Sequence, residues 1–369
     1  MKSRNSVCSV KFVAQFQPPI NGLTEAVERL WNSKLSEKYT FSRINLINNL
    51  KFPMTVVKLF LAKDDIYYFT PAETQLGNLR DLITLMILNH KKGKTVIHLH
   101  GGTYRKLVET GLPSWQKHLN YVLFSKVDTA IVLGEGLRYI FEGIVPDNRI
   151  VVVPNYVGNE FLPNQSKIEI KAQQSKLKAP RDVLYLSNFY RFKGYQHFLA
   201  LAVLEKKRRD AGNQPEFNFH MAGAFPEDFK REDLDAYIHD NGLEDIVQYY
   251  GIVRGEEKKA LLKKCDLFVL LSVREGQPIS ILEALGNGLS IVTTNEAAIP
   301  DMVTDQVNGL VFEKSRIDVK KIYNEMLNFD SSKRMLNNWV KIQRSYLESR
   351  YLNDMDTVFE RTFLGDSSK

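Results

Sequence analysis

The chain has 369 residues, 44% hydrophobic and 25% charged, which predicts a soluble globular protein of two domains. No run of the sequence approaches the roughly 20 apolar residues of a membrane span. The chain has two cysteines, Cys8 and Cys265, which are too few for a disulfide framework or a cysteine-rich zinc site and fit a reducing compartment. The net charge of +7 lies in residues 1–160, with 20 Lys and Arg against 13 Asp and Glu, which indicates either a polyanionic partner or simply a basic surface.

Apolar strands alternate with amphipathic helices along both halves of the chain. The first half has predicted strands at 6–16, 66–69, 95–100, 129–133 and 150–153, and helices at 24–38, 79–90 and 136–143. Lys11 interrupts the first apolar stretch and no cleavage site follows, so this stretch indicates a strand and not a signal peptide. The polar segment 163–180 indicates a linker between the domains.

The same alternation resumes after the linker. Strands are predicted at 183–186, 217–221, 246–250, 267–271 and 290–293, and helices at 194–209, at 255–264, from Pro278 onward, and throughout 332–363. This pattern predicts an α/β fold with two Rossmann-like, doubly wound domains that face a cleft. Ligands are expected there, at the carboxyl ends of the strands.

The strongest motif follows a buried strand, LFVLLS, and reads REGQPISILEAL. Pro278 suits the first helical position, where its missing amide hydrogen would have no partner. The amides of Ile279 and Ser280 would then leave a positive helix end open to an anion. Glu275 precedes this helix and Glu283 lies more than one turn inside it. Two carboxylates beside an anion site suit a nucleotide sugar; the alternative is one solvated and one capping glutamate.

This motif resembles the E-x7-E segment of the retaining glycosyltransferases of family four, which have the GT-B fold. Other similar segments follow in the family's order: PPINGL at 18–23, VVPN at 152–155, HMAG at 220–223, YYG at 249–251, LLKKCDLFV at 261–269 and NGLVF at 308–312. The resemblance covers most of the chain. It implies an acceptor-binding domain at 1–165, a donor-binding domain at 180–345, and a C-terminal helix, 346–369, that crosses back to the first domain.

The resemblance also implies roles for individual residues. Glu275 would contact the donor-sugar hydroxyls in catalysis, Glu283 would bind the ribose, and the amides at the helix start would hold the diphosphate. The donor-binding set in this segment is Gly276, Pro278, Ile279, Ser280 and Glu283. Gly22, at the first strand–helix turn, would let the chain approach the donor phosphate without a Cβ.

The segment SNFYRFKG aligns with the family's G-R-x4-K-G pattern. Lys193 and Gly194 match, so Lys193 is expected to bind the diphosphate and to take part in catalysis. Asn188 stands where the family has arginine, and Ser187 where it has glycine, which puts the second phosphate-binding cation in question. Arg191 could supply that charge or could be a solvated loop residue. Asn188, Arg191 and Lys193 are all donor-binding candidates.

A first-domain strand ends in the sequence HLHGG. His100 aligns with the family histidine at the cleft, which makes it a catalytic candidate. His98 alternates with Leu99, so these two side chains point to opposite faces of the sheet, and we interpret His98 as a packing residue.

The remaining predictions concern the reaction. The triplets 233–235 and 354–356 read DxD but lie in polar, helix-like stretches, so neither a metal nor another cofactor is expected. The resemblance implies hexosyl transfer with retention from a nucleotide diphosphate sugar, UDP- rather than GDP-linked, to a glycan or polyprenyl-diphosphate-linked acceptor in cell-surface polysaccharide synthesis. A nucleotide-sugar epimerase of GT-B shape is the alternative. A dehydrogenase would need G-x-G-x-x-G, and no motif indicates nucleic-acid binding.

Basic and aromatic residues interleave in the first domain. The basic residues are Lys34, Lys38, Arg43, Lys51, Lys58, Lys91, Lys92, Lys94, Arg105 and Lys106, and the aromatic ones are Trp31, Tyr39, Phe41, Phe52 and Phe60. We therefore expect a cytoplasmic protein attached peripherally to the anionic inner face of the cell membrane through this domain. The alternative is that the aromatics belong to the core and the charges are only solvated.

Overall fold

The computed structural model describes residues 7–18, 22–46, 52–176 and 178–365. The chain forms two compact units, one of residues 1–155 and 349–369 and the other of residues 156–348. Within the described residues each unit contains a six-stranded sheet whose neighbouring strands are all parallel. The predicted α/β architecture with two doubly wound sheets is confirmed.

In the first unit the sheet order is β2-β1-β3-β4-β5-β6. Its strands are β1 (Ser9–Ala14), β2 (Thr40–Asn45), β3 (Ile66–Phe69), β4 (Lys94–His98), β5 (Thr129–Val132) and β6 (Ile150–Val152). Its α-helices are α1 (Gly22–Trp31), α2 (Leu35–Lys38), α3 (Phe52–Leu61), α4 (Gln75–Leu88), α5 (Tyr104–Lys106), α6 (Ser114–Phe124) and the C-terminal α15 (Glu348–Leu364). Short π- and 3-10 turns cover Leu107–Gly111, Glu135–Ile140 and Asp147–Arg149.

In the second unit the sheet order is β12-β11-β10-β7-β8-β9. Its strands are β7 (Arg181–Leu186), β8 (Phe217–Ala222), β9 (Val247–Tyr249), β10 (Leu267–Leu270), β11 (Ser290–Thr294) and β12 (Gly309–Phe312). Its α-helices are α7 (Gln165–Ser175), α8 (Tyr195–Asp210), α9 (Arg231–Asp240), α10 (Gly255–Lys264), α11 (Ile279–Gly286), α12 (Ile299–Met302), α13 (Val319–Asn328) and α14 (Met335–Ser345). Short 3-10 turns cover Asn159–Phe161, Arg191–Lys193 and Ser332–Arg334.

The strand order of the second unit reverses between β7 and β10. The chain leaves β7 for β8 and β9 on one side and then returns to pair β10 with the other edge of β7. Open α/β sheets bind ligands at such a reversal, outside the carboxyl ends of the strands. The loops that follow β7 and β10 are therefore the place to look for a site.

The polar segment 163–180, which the sequence indicated as a linker, contains helix α7 within the second unit. The Asn164 side chain caps this helix by accepting from the Lys167 amide. Ile168 is buried, and the Lys171 ammonium donates to two backbone carbonyls at the ends of α10 and α11. Few apolar residues are needed for this packing, which is why the composition looked like that of a linker.

The sequence predicted a helix throughout 332–363. In the structure this region is divided after Ser345 into two helices, α14 and α15. At the break, Leu347 forms a parallel bridge with Val157 of the second unit. Helix α15 packs on the first unit, which confirms the predicted crossing. The Tyr39 hydroxyl donates to the Asp356 carboxylate at 2.6 Å, and the Tyr39 ring meets Phe359 edge-on.

Three aromatics that were expected at a membrane surface belong instead to the packing of the first unit. Trp31 packs edge-on against Phe12, and Tyr39 is buried and stacks on Phe41. The sequence could not reveal this, because β2, which contains Phe41, is an edge strand with only Ile44 buried and was not predicted. Phe60, in contrast, is exposed.

Lys51 of the predicted basic set lies outside the described residues. Among the helices that the structure describes, none combines the length and the apolar character of a bilayer span.

Candidate functional site

The loops that follow β7 and β10 are joined through Phe192. Its backbone carbonyl accepts from the Val273 amide and from the Ser272 hydroxyl, both at 2.9 Å. Gly194 has φ +81°, and a Cβ there would lie 2.3 Å from the carbonyl oxygen of Leu271. Only glycine permits this close approach of the two loops. The approach places the side chain that precedes Gly194 against the loop that follows β10.

That side chain is Lys193, and it pairs with Glu275. The ammonium nitrogen lies 2.7 Å from each of the two carboxylate oxygens, and the Glu275 side chain is only 5% exposed. A buried carboxylate is tolerated when a cation and hydrogen bonds replace its lost water. The two predicted catalytic residues of the second unit are therefore in direct contact.

Helix α11 begins directly after this pair. Pro278 is its N-cap residue, with extended backbone angles, so the helix starts one residue later than predicted. The Gly276 carbonyl accepts from the Ala298 amide at 3.1 Å, which fixes the turn before the helix. Helix geometry gives the amides of Ile279 and Ser280 no acceptor within the helix. The helix end therefore presents two amide donors and the positive end of the dipole to an anion.

Glu283 lies one turn further along α11 and forms a second ion pair. Its side chain is 1% exposed, and one carboxylate oxygen accepts from the Lys258 ammonium at 2.6 Å. The Lys258 nitrogen also lies 4.4 Å from the centroid of the Phe161 ring. Lys258 was not predicted, because nothing in the sequence distinguishes it from the other lysines of α10; only the packing of α10 beside α11 selects it.

The other candidates near Lys193 are exposed. The Asn188 carboxamide oxygen accepts from the Ala224 amide at 3.1 Å, which ties the ends of β7 and β8 together. Arg191 is in the same 3-10 turn as Lys193. Arg274, which sequence analysis did not single out as a site residue, places its guanidinium carbon 5.5 Å from the centroid of the Phe192 ring. The region around the Lys193–Glu275 pair therefore carries further positive charge.

His98, which is buried at the end of β4 in the first unit, packs against His100, which is half-buried two residues later. Their ring centroids are 4.0 Å apart, and Nδ1 of His98 is 2.8 Å from the Tyr68 hydroxyl. Burial lowers the pKa of His100 to about 3, and burial together with His100 lowers the pKa of His98 well below its ordinary value. Neither Nε2 atom has a hydrogen-bond partner among the described residues. Both imidazoles are therefore neutral and keep one unused polar atom.

The loop after His100 is held by Glu73, which follows β3. Its carboxylate accepts from the amide and from the hydroxyl of Thr103, both at 2.9 Å. Gly22 begins α1, and nothing lies within 4 Å of the position that a Cβ would take there. Residues 19–21 of the first glycine turn lie outside the described residues.

Both DxD triplets lie on helices, Asp233 and Asp235 on α9 and Asp354 and Asp356 on α15. Within the described ranges, no group of three or more His, Cys, Asp or Glu side chains is arranged to hold a metal ion.

The chain is similar in sequence to known glycosyltransferases. Residues 166–345, which contain both ion pairs, match the family described as glycosyl transferases group 1. Over 337 residues the chain is 23% identical to the GDP-mannose:cellobiosyl-diphosphopolyprenol alpha-mannosyltransferase of Xanthomonas oryzae pv. oryzae. This alignment covers 84% of this chain and 84% of the relative.

Two solved structures match almost the whole fold. A sucrose-phosphate synthase from Thermosynechococcus elongatus has a TM-score of 0.73 at 13% identity. The match covers 97% of this chain and 100% of the synthase chain. Anabaena HepE in complex with UDP and glucose has a TM-score of 0.66 at 16% identity, covering 96% and 100%. These matches establish the GT-B fold.

Proposed function

We propose that the chain, whose residues 166–345 match the family of group 1 glycosyl transferases, is a retaining, metal-independent hexosyltransferase that uses a nucleotide diphosphate sugar. The observation that carries this proposal is the pair of buried carboxylate–lysine contacts, Glu275 with Lys193 and Glu283 with Lys258, beside the start of α11. Sugar and ribose hydroxyls need acceptors and phosphates need donors, and this arrangement supplies both.

In the proposed donor complex, the diphosphate lies at the amides of Ile279 and Ser280 and at the Lys193 ammonium. Glu275 holds Lys193 in place and accepts from hydroxyls of the hexose, and Glu283 accepts from the ribose. Negative charge grows on the diphosphate as the sugar leaves. Lys193 and the helix end stabilise that charge without moving, which is the form of catalysis that fixed dipoles provide.

Retention follows if the acceptor attacks on the face that the diphosphate leaves. The departing phosphate oxygen then takes the acceptor proton, so that no side-chain base is required and the protein contributes positioning. His100 is the proposed catalytic residue of the first unit. Its neutral imidazole suits a hydrogen bond to a sugar hydroxyl and does not serve as a charged acid at neutral pH.

We propose a UDP-hexose ahead of a GDP-hexose as donor, and a glycan or polyprenyl-diphosphate-linked glycan as acceptor. The solved HepE complex contains UDP and glucose, which supports the first choice. The name of the Xanthomonas relative includes a diphosphopolyprenol, which supports a lipid-linked acceptor. The same name includes GDP-mannose, so both UDP- and GDP-linked donors must be tested. Such an acceptor places the enzyme in cell-surface polysaccharide synthesis, attached peripherally to the inner face of the membrane.

The test is a panel of UDP- and GDP-hexoses, scored by thermal stabilisation and by transfer of labelled sugar to polyprenyl-diphosphate-linked glycans, with the product anomer assigned by NMR. We expect one nucleotide class to stabilise the protein and the α-configured donor to give an α-linked product, with or without EDTA. Glu275→Ala should lower turnover on the order of 10²- to 10³-fold while the protein stays folded.

Glu256→Ala is the matched control, because Glu256 lies on α10 of the same unit with its side chain 87% exposed. Equal turnover in the two variants would contradict the assignment of the site. A product of inverted configuration would contradict retention, loss of activity in EDTA would contradict metal independence, and conversion of the free donor to its epimer without an acceptor would contradict transfer.

A further inference from the structure

Helix α4 of the first unit exposes a stripe of apolar residues and buries several polar ones. Its solvent face carries Leu76, Leu79, Ile83 and Met86, which lie on one stripe because successive members are three or four residues apart. Its buried face includes the polar and charged residues Asn78, Arg80, Asp81 and Thr84. The buried face also carries Leu82, Leu85, Ile87 and Leu88, so α4 is apolar on both sides, whereas a surface helix normally has polar residues on the side that faces water.

The buried polar groups of α4 are satisfied within the unit. The Asn78 amide donates to Tyr104 and Asn120, and Asp81 accepts from Arg80 and from the Ala72 amide. The helix is therefore held in this orientation by hydrogen bonds and an ion pair, and its apolar stripe is left without cover from the described residues of the unit.

Helix α3, which packs against α4, has the same character. Met54, Val57, Phe60 and Leu61 are exposed, and Leu61 keeps 73% of its accessible surface. Helix α6, on the other side of α4, adds the exposed Trp115 and Val122. We call these exposed apolar residues of the three neighbouring helices the α3–α4–α6 face. Contiguous apolar surface of this kind marks a site of association.

The exposed charge on the three helices of the α3–α4–α6 face is positive. The only acidic residue within the three helices is Asp81, which is buried, whereas Lys58 is exposed on α3. All three helices connect strands of one parallel sheet, so they run in the same direction and their carboxyl ends share an edge. The exposed Lys63, Lys92 and Lys126 follow these ends. A row of lysines therefore borders the apolar face on one side. Asp64, Asp65 and Asp128 at the same edge are half-buried and are bonded to Lys11, Ser9 and Lys94, respectively.

We propose that the α3–α4–α6 face inserts into the surface of an anionic phospholipid bilayer, with the lysine edge on the lipid phosphates. Apolar side chains bordered by lysines suit an interface that is apolar below and anionic at its rim. A second copy of this face would bring no exposed carboxylate to the lysines. The inference rests on the proposed function and deepens it, since it names the surface that brings the enzyme to a lipid-linked acceptor.

The test is flotation of the full chain with vesicles of phosphatidylcholine alone and of phosphatidylcholine mixed with phosphatidylglycerol, at low and high salt. The double variant Val57→Glu/Ile83→Glu is compared with Val307→Glu/Ile170→Glu in the second unit. Val57 and Val307 are 56% and 62% exposed, so the same change is made at similar exposure.

We expect the wild type to bind the anionic vesicles and to keep part of that binding at high salt, because insertion is not screened as surface charge is. Val57→Glu/Ile83→Glu should lower the partition coefficient on the order of tenfold or more at both salt concentrations, and the control should bind as the wild type does. Lys58→Gln/Lys92→Gln should weaken binding only to anionic vesicles at low salt.

Equal binding by the two glutamate variants would overturn the proposal. So would a stable dimer that ignores vesicles, which would make the face an interface between copies of the chain. Thermal stabilisation by nucleotide sugars, measured on the same variants, keeps the two proposals apart. Lost vesicle binding with retained stabilisation supports the membrane face, whereas absent stabilisation in every variant would count against the donor site alone.

Discussion

Acidification should destabilise the first unit through the neighbouring histidines His98 and His100. Burial lowers the pKa of His100 from its ordinary value of 6.5 to about 3, and burial with the neighbouring His100 holds the pKa of His98 well below 6.5. The unfolded chain binds a proton on each imidazole near pH 6.5, whereas the native chain does not until far lower pH. The unfolded state therefore binds more protons between about pH 6.5 and 3, and the free energy of unfolding falls as the pH falls through this window.

The magnitude follows from the width of the window. Each pH unit below 6.5 costs about 1.4 kcal/mol for a histidine that stays neutral in the native state. At about pH 4.5 His100 alone should therefore remove about 2.7 kcal/mol, and His98 should add to this loss because burial lowers its pKa as well. Such a loss is a large part of the stability of an ordinary domain, about 5–15 kcal/mol.

Two measurements check this reasoning. NMR titration should show that the imidazole signals of His98 and His100 do not move between about pH 5 and 8. Urea unfolding should show that the free energy of unfolding of His100→Asn depends less steeply on pH below 6.5 than that of the wild type, by about one bound proton. A His100 signal that titrates near pH 6.5, or an unchanged slope in His100→Asn, would refute the argument.

Two further predictions concern named contacts. Lys258→Met should lower the free energy of unfolding of the second unit by about 3–5 kcal/mol in urea denaturation, because it removes the cation that pairs with the buried Glu283 carboxylate. Lys258→Met/Glu283→Gln should recover part of that loss. Equal losses in the single and double variants would contradict the coupling. Tyr39→Phe should cost the first unit about 1.5–3 kcal/mol by removing a hydrogen bond to the charged Asp356; a melting curve identical to the wild type would show that this contact does not hold α15.

The sequence by itself determined the α/β architecture and indicated the segments of the proposed donor site. β3 was predicted at its observed limits, because a strand buried on both faces reads as a continuous apolar run. α10 was also predicted at its observed limits, and the apolar stripe of α15 indicated that it needed a surface to cover it. The carboxylates Glu275 and Glu283 could be proposed as site residues from the sequence because both lie in one short segment.

Only the tertiary structure decided which side chains meet and which faces remain open. Lys258 reaches Glu283, and Lys193 takes both oxygens of Glu275, because strand order and the packing of neighbouring helices bring distant segments together. The sequence of α3 is apolar nearly all round, so its periodicity does not say which side faces water. α4 faces outward with its apolar stripe because Asn78 and Asp81 find partners inside the unit, and those partners lie on other segments of the chain.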